Sequence, residues 1–275
     1  MEKKWALILG ASSGFGGATS VELANAGYNI IGIHLDRQSG MDAVKKIIKS
    51  IEKTGQHAAF FNINAADPMR RNDILDEIKD RMAQKDSKDK IHVLVHSLAF
   101  GTLRPYIAKD PNECISQQQM QMTLDVMAHS LVYWVQGVIQ RDLFAENGRI
   151  FGLTSAGSQT VIPNYGAVSA AKAALEAHLR QLAVELGGMG ITANAIMAGV
   201  TDTPALRKIP GNDKMLYAAK MKNPTFRLTT PEDVAKVIRL LCNPEADFIS
   251  GNVLGVDGGE YIVNYVGDKI SKAIK

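Results

Sequence analysis

A chain of 275 residues, 46% apolar and with a net charge of +3, is long enough to bury one large core, so one domain spanning residues 1–275 is expected. Its lysines and arginines are interspersed with acids, which excludes a nucleic-acid or membrane surface built on charge. Cys114 and Cys242 stand far from any C-x-x-C or secretory spacing, and no segment approaches the length of a membrane span. The expectation is two buried thiols in a cytoplasmic protein. The opening "MEKKWALILGASS" places two lysines before an apolar run, but that run is too short for a signal segment and stops at Gly10.

Short aliphatic or β-branched runs predict strands at "ALIL", "NIIGIHL", "AAFFNI", "IHVLVH", "RIFGLT", "ITANAI" and "VLGVD". Between them, apolar residues at three- and four-residue spacing predict helices. These lie in "FGGATSVELANAG", "GMDAVKKIIKSIEKTG", "RRNDILDEIKDRMAQ", the long "MQMTLDVMAHSLVYWVQGVIQRDLF", "SAAKAALEAHLRQLAVELG" and "PEDVAKVIRLLC". Strict alternation of this kind implies an α/β fold, a doubly wound parallel sheet of seven strands of Rossmann type. Ligands of such sheets bind at the carboxyl ends of the strands. The run "KDSKDK" at 85–90 reads as a solvated charge cluster, and Asp67-Pro68 as a helix start. Residues 201–230, rich in Pro, Thr, Lys and Met, break the strand–helix rhythm and are expected to cover a site. The tail 261–275 is expected either to cross a subunit interface or to fray.

The first strand-to-helix junction, "LILGASSGFGGATSVELA", sets Gly10, Gly14 and Gly16 around Ser12, Ser13 and Phe15. Glycines there let backbone N–H groups approach a diphosphate at the positive end of a helix. Further on, "NYGAVSAAK" places Tyr165 seven residues before Lys172. On a helix that spacing puts both on one face, roughly 10 Å apart along the axis. His92 and His96, four apart, would form a metal pair on a helix; in a strand they lie roughly 13 Å apart, too far to share an ion. No metal site is expected. His129 and His178 lack acid or thiol partners at ligand spacing, and Met120, Met122 and Met127 read as core filling.

Taken together, the Gly10/Gly14/Gly16 spacing, the Ser155…Lys172 pair, "NAIMAG" and the closing "SGNVLGVDGG" resemble the short-chain dehydrogenase/reductase superfamily over roughly residues 5 to 260. The resemblance implies a nicotinamide cofactor and a homotetramer. Carbonyl-reducing members carry Tyr-x-x-x-Lys, in which the lysine binds the nicotinamide ribose and the tyrosine protonates the carbonyl oxygen. Here the position four before Lys172 is Val168, and the Tyr-x6-Lys spacing is similar to that of enoyl-acyl-carrier-protein reductases. "VHSLAFG", with Ser97, Leu98 and Ala99, also looks like the enoyl reductase form, as do "IMAGVTDTPA" and "TLRPY". The asparagine of the carbonyl reductase proton relay falls at Met127.

One residue departs from that branch. Ser155 stands seventeen before Lys172, where many enoyl reductases carry a second tyrosine and carbonyl reductases a serine; it serves either to hydrogen-bond substrate or to tie down the strand end. The resemblance thus implies Tyr165, Lys172 and Ser155 as catalytic candidates. It further implies cofactor contacts from the glycine turn, Asn64 and Ala65, Ser97–Ala99, and Gly199, Val200, Thr201 and Thr203, with the segment Thr203 to Phe226 closing over an acyl chain. His34 falls at the ribose-binding position of the second strand, and Arg37 suits a 2′-phosphate, which favours NADPH over NADH. The expected reaction is reduction of the double bond of trans-2-enoyl thioesters of acyl-carrier protein or coenzyme A. The alternatives are a 3-oxoacyl or hydroxysteroid-like carbonyl reductase, and a nucleotide-sensing protein without turnover.

Overall fold

The computed structural model describes residues 3–83, 88–209 and 211–264. Residues 85–87 of the 85–90 charge run and 265–275 of the 261–275 tail lie outside the described residues. Seven strands form one parallel sheet: β1 (Lys4–Leu9), β2 (Asn29–His34), β3 (Ala58–Asn62), β4 (Lys90–His96), β5 (Phe144–Thr154), β6 (Thr192–Ala198) and β7 (Val253–Val256). Their spatial order is β3-β2-β1-β4-β5-β6-β7, so the winding reverses between β1 and β4. That switch point opens a crevice at the carboxyl edge.

Alternation along β1 shows how two cores arise from one strand. Leu7 and Leu9 face a layer that contains Ile74 and Leu75 of α3 (Pro68–Met82), Leu131 and Trp134 of α5 (Ser130–Gln140), and Leu175 of α6 (Gly166–Leu186). Ala6 and Ile8 face the other layer, with Leu23 of α1 (Gly14–Asn25), Ile51 of α2 (Met41–Glu52), and Val234 and Ile238 of α8 (Pro231–Leu241). Burial on both sides explains why the strands read as continuous apolar runs.

Several elements differ from the sequence expectation. The long helix expected over 120–144 is α4 (Gln117–Leu124), a π-helical stretch Asp125–His129, and α5, which ends at Gln140. Leu143 and Phe144 instead enter the sheet, where Phe144 pairs with Ile91 and starts β5 five residues early. Segment 201–230 contains a regular helix, α7 (Asn212–Lys222), whose only buried residue is Ala219. A helix with so little apolar face leaves no periodic signal. Asp67 caps α3 as expected, accepting from the N–H groups of Met69 and Arg70 with Pro68 in the first turn. Both cysteines are free and half-buried rather than fully buried. No helix among the described residues is long and apolar enough to cross a membrane.

Trp134 is fully buried and its indole N–H donates to the Ala65 carbonyl at 2.8 Å, joining α5 to the loop after β3. Trp134→Phe keeps an aromatic ring but leaves that carbonyl unpaired. It is expected to lower the unfolding free energy by about 2 kcal/mol, measured by urea denaturation; an unchanged midpoint would mean that the bond contributes nothing.

Candidate active site

At the switch point the chain folds back on itself too tightly for side chains. A Cβ at Gly16 would lie 2.1 Å from the Gly10 carbonyl oxygen, and one at Gly10, where φ is +93°, would lie 2.6 Å from the Ser97 carbonyl oxygen. The N–H groups of Gly10 and Ala11 bond to the Ile33 carbonyl at the end of β2. Ser13 precedes α1 without capping it through its side chain, so N–H groups of the first helical turn are left for a ligand. Thr203 lies across this turn, its methyl 3.6 Å from where a Cβ of Gly14 would sit. The cradle between Gly10, Gly14, Gly16, Ser97 and Thr203 therefore fits a dinucleotide diphosphate. Phe15 packs against the core layer beneath, as Leu98 does against the other, while Ala99 is exposed.

At the end of β2 the structure separates two residues that the sequence reading joined. His34 is 3% exposed and its Nδ1 lies 2.9 Å from Asp36 Oδ2. Asn62 brackets Asp36 from both sides, accepting from its N–H and donating to its carbonyl. The ring of His34 thus supports Asp36 from below, and Arg37 is exposed beside it. After β3, Asn64 is exposed and accepts from the Ala66 N–H, whereas Ala65 is buried with its carbonyl taken by Trp134.

The seven-residue spacing acquires its geometry from where α6 begins. The helix starts at Gly166, so Tyr165 is the residue before its first turn, and its carbonyl accepts from the Ser169 N–H at 2.9 Å. Asn164, at φ 61°, turns the chain into that position. The ring of Tyr165 and Ser155 Oγ lie 2.8 Å and 3.2 Å from the place where a Cβ of Gly157 would sit, so the two hydroxyl residues converge. Ser155 Oγ is enclosed and lacks a partner with good hydrogen-bond geometry. Tyr165 is its polar neighbour: burial raises the phenol pKa above 10, and Ser155 opposes part of that rise. The phenol is accordingly protonated at neutral pH.

Lys172, two turns along α6, is 6% exposed and donates from Nζ to the Leu153 carbonyl at 2.6 Å. Burial lowers its pKa to about 8, with the negative field of Glu176 acting in the opposite direction. Glu176 is equally buried and accepts from Thr154 Oγ1 at 2.6 Å. Sequence reasoning missed this carboxylate, although a Glu four residues after Lys172 shares its helix face.

Beside Lys172 the wall is dry. Val168 and Met127 are 4% and 3% exposed, and both approach Gly101: a Cβ there would lie 2.7 Å from Val168 Cγ2, 2.8 Å from Thr123 Cγ2 and 3.0 Å from Met127 Sδ. His96, fully buried at the end of β4, bonds through Nε2 to Ser130 Oγ at 2.9 Å, and Ser130 in turn donates to the Val126 carbonyl in the π-helical stretch. Burial and the Lys172 charge push the His96 pKa down to about 3, so its ring is neutral. His129 and His178 meet each other at 2.9 Å across two helices. No group of three or more His, Cys, Asp or Glu among the described residues is arranged to hold a metal.

The loop after β6 completes the crevice. Thr201 Oγ1 donates to the Gly199 carbonyl, Thr203 Oγ1 accepts from the Leu206 N–H, and the Val200 N–H donates to Glu260 Oε2 at 3.2 Å. Met197 pairs with Thr154 across β6 and β5, so this loop emerges next to Ser155.

A glycine cradle at a switch point, with a buried lysine and a tyrosine beyond it, defines a nicotinamide-dinucleotide-binding α/β protein. Comparison with known proteins narrows the class. A family model described as enoyl-(acyl carrier protein) reductase matches residues 10–260. The enoyl-(acyl-carrier-protein) reductase (NADH) FabI of Nostoc sp. (strain PCC 7120) is 31% identical over 219 residues, 80% of this chain and 81% of its own. The 3-oxoacyl-(acyl-carrier-protein) reductase FabG of Thermotoga maritima is 27% identical, over 94% of this chain and 98% of its own. The crystal structure of FabI from Candidatus Liberibacter asiaticus has a TM-score of 0.82 at 27% identity, covering 96% of this chain and 97% of that one. The chain belongs to the short-chain dehydrogenase/reductase superfamily, close to the enoyl-acyl-carrier-protein reductases, and is an oxidoreductase of that superfamily.

The buried ammonium has a consequence for stability. Between about pH 8 and the ordinary lysine pKa of 10.5, the unfolded chain holds a proton on Lys172 that the folded chain has released. Stability from this group therefore rises with pH through that window. Lys172→Met is expected to remove the rise, as measured by urea midpoints at pH 7, 8, 9 and 10; parallel profiles for the two proteins would refute the assignment.

Proposed function

We propose that this protein reduces the carbon–carbon double bond of trans-2-enoyl thioesters of acyl-carrier protein or coenzyme A. The observation that carries this reading is the dry contact of Val168 and Met127 at Gly101. Carbonyl-reducing relatives need a phenol and a relay amide at these positions, and two buried apolar side chains supply neither. The hydroxyl donor is instead Tyr165, three residues earlier, about 4.5 Å further along the helix axis.

The displacement suits the chemistry. A reduced nicotinamide dinucleotide, when bound, supplies a hydride to the β-carbon of the enoyl group. The electrons of the double bond then move toward the thioester, and negative charge collects on its oxygen, three bonds from the carbon attacked. A donor for that oxygen stands further from the hydride source than one for a ketone. Tyr165, protonated at neutral pH, donates to the oxygen as charge develops, and a proton delivered to the α-carbon completes the saturated product.

Lys172 binds the ribose hydroxyls of the dinucleotide and adds positive potential, with Glu176 favouring its charged form. The turn from Gly10 through Ser12, Ser13 and Gly14 to Gly16 holds the diphosphate with Thr203. The backbone of Ser97–Ala99 and of Gly199–Thr201 lines the nicotinamide end. Asp36 is engaged by His34, which leaves Arg37 as the exposed ion for a 2′-phosphate and supports NADPH as the preferred cofactor. The segment Thr203 to Phe226, with Phe226 partly exposed, covers the acyl chain.

Ser155 favours a second reading, 3-oxoacyl reduction, because it retains the carbonyl reductase serine. The two readings are separated by following NADPH and NADH oxidation with crotonyl and acetoacetyl thioesters side by side. Crotonyl turnover is expected, and Tyr165→Phe is expected to lower it about 10²–10³-fold, as loss of one oxyanion donor does. Acetoacetyl turnover without crotonyl turnover would overturn the proposal, as would a Tyr165→Phe enzyme as fast as wild type.

A further inference from the structure

The turn after β7, Asp257–Tyr261, is bonded to three separate segments around the crevice. Its frame is Asp257, 9% exposed, whose carboxylate accepts from the N–H groups of Gly259 (3.0 Å) and Tyr261 (2.8 Å). Its backbone is anchored by Asn223 at the end of α7, which is 2% exposed and donates to the Asp257 carbonyl at 2.8 Å. From this frame Glu260 reaches the Val200 N–H after β6, and the Tyr261 hydroxyl donates to Gln159 Oε1 at 2.8 Å in the loop after β5.

We propose that Glu260 is a positioning residue for the nicotinamide end of the cofactor, acting through the Gly199–Val200 backbone. The inference rests on the reading that a nicotinamide dinucleotide occupies the crevice. Two constraints bring Glu260 to that backbone. The Gly199 N–H bonds to the Val256 carbonyl, so the loop leaves the sheet alongside β7, and Glu260 Oε2 sits 3.0 Å from where a Cβ of Gly199 would be. Thr229 Oγ1, 2.3 Å from the same place, and the carboxylate thus share the space beside Gly199, and the carboxylate holds the next peptide by its N–H, which leaves the opposite side of the loop for the ligand. Burial and the neighbouring Asp257 push its pKa up, the Val200 N–H and Lys222 oppose them, and the carboxyl is retained in that position despite the cost. The Tyr261–Gln159 bond braces the adjoining loop of Ser155 and Tyr165 from the same turn.

A clasp on the nicotinamide end predicts a loss confined to that end. Titration calorimetry with NADPH and with 2′-phospho-ADP-ribose, which has the diphosphate and the 2′-phosphate but no nicotinamide, reads the two ends separately. Glu260→Ala is expected to raise the NADPH dissociation constant about tenfold, the size of one hydrogen bond to a charged group, and to leave that of 2′-phospho-ADP-ribose within twofold. Glu260→Gln keeps an acceptor for the Val200 N–H and is expected to return most of the NADPH affinity. Equal losses for both nucleotides, no loss for NADPH, or a Gln variant as weak as Ala would each overturn the inference. If Glu260→Ala does not fold, Glu260→Asp, whose carboxylate stops short of Val200, is read in the same way. Wild-type protein that binds neither nucleotide would instead defeat the cofactor reading on which the inference stands.

Discussion

Removing the Lys172 ammonium from water costs several kcal/mol, and the groups that reduce this cost define the architecture of the site. The Leu153 carbonyl accepts a hydrogen bond from it near the end of β5, where the strand still pairs with β6 but has passed its last partner on β4. Glu176 offers a compensating charge one turn along α6, and Thr154 holds that carboxylate by a hydrogen bond from the neighbouring strand residue. Strand end and helix are thus joined twice within one helical turn. The position of α6 over the sheet follows from that pair of contacts together with the packing of Leu175 and Leu179 beneath. The same buried charge keeps His96 neutral, so two nitrogen bases in one crevice occupy opposite protonation states.

With Lys172 fixed, the start of α6 decides what else can reach the crevice. Helices usually begin on Ser, Thr, Asp or Asn, whose side chain bonds back to the first turn, and doing without that bond costs roughly 1 kcal/mol. Tyr165 occupies the position and makes no such bond, so its side chain is released toward Ser155. On the proposed reading, this break in a local rule is where function overrides stability. The positions that would serve a donor nearer Lys172 are closed by the opposite device. Val168 and Met127 belong to the continuous apolar core, which holds them where no water can substitute for a missing hydroxyl or amide.

Much of this was legible from residue order alone because the relevant physics is local. The inner strands, buried on both faces, read as apolar runs, and the glycine turn reads as glycines because backbone must meet backbone at Gly10 and Gly16. Tyr165, Lys172 and Val168 lie within eight residues of one another, so their relation is a matter of helical spacing. What escaped depends on contacts or hydrogen-bond patterns that composition does not encode. The π-helical stretch at Asp125–His129 keeps an ordinary helical periodicity around it, and α7 buries too little to show any. His34 read as a ligand-facing residue because its place in the strand matched, yet the pleat turns its ring inward beneath Asp36. His129 and His178 are 49 residues apart, and only the crossing of their helices makes them partners.

The turn after β7 shows why distance along the chain, more than chemical subtlety, limits such reading. Gly258 and Gly259, both at positive φ, announce a turn but say nothing of what it will touch. Tyr261 finds Gln159 across 102 residues, and Glu260 finds Val200 across 60. Both contacts exist because β6 lies between β5 and β7, so a turn leaving the seventh strand can reach the loops that leave the other two. A residue that acts by holding another in place carries no motif of its own. Its role arises only once the sheet order has brought its partner alongside.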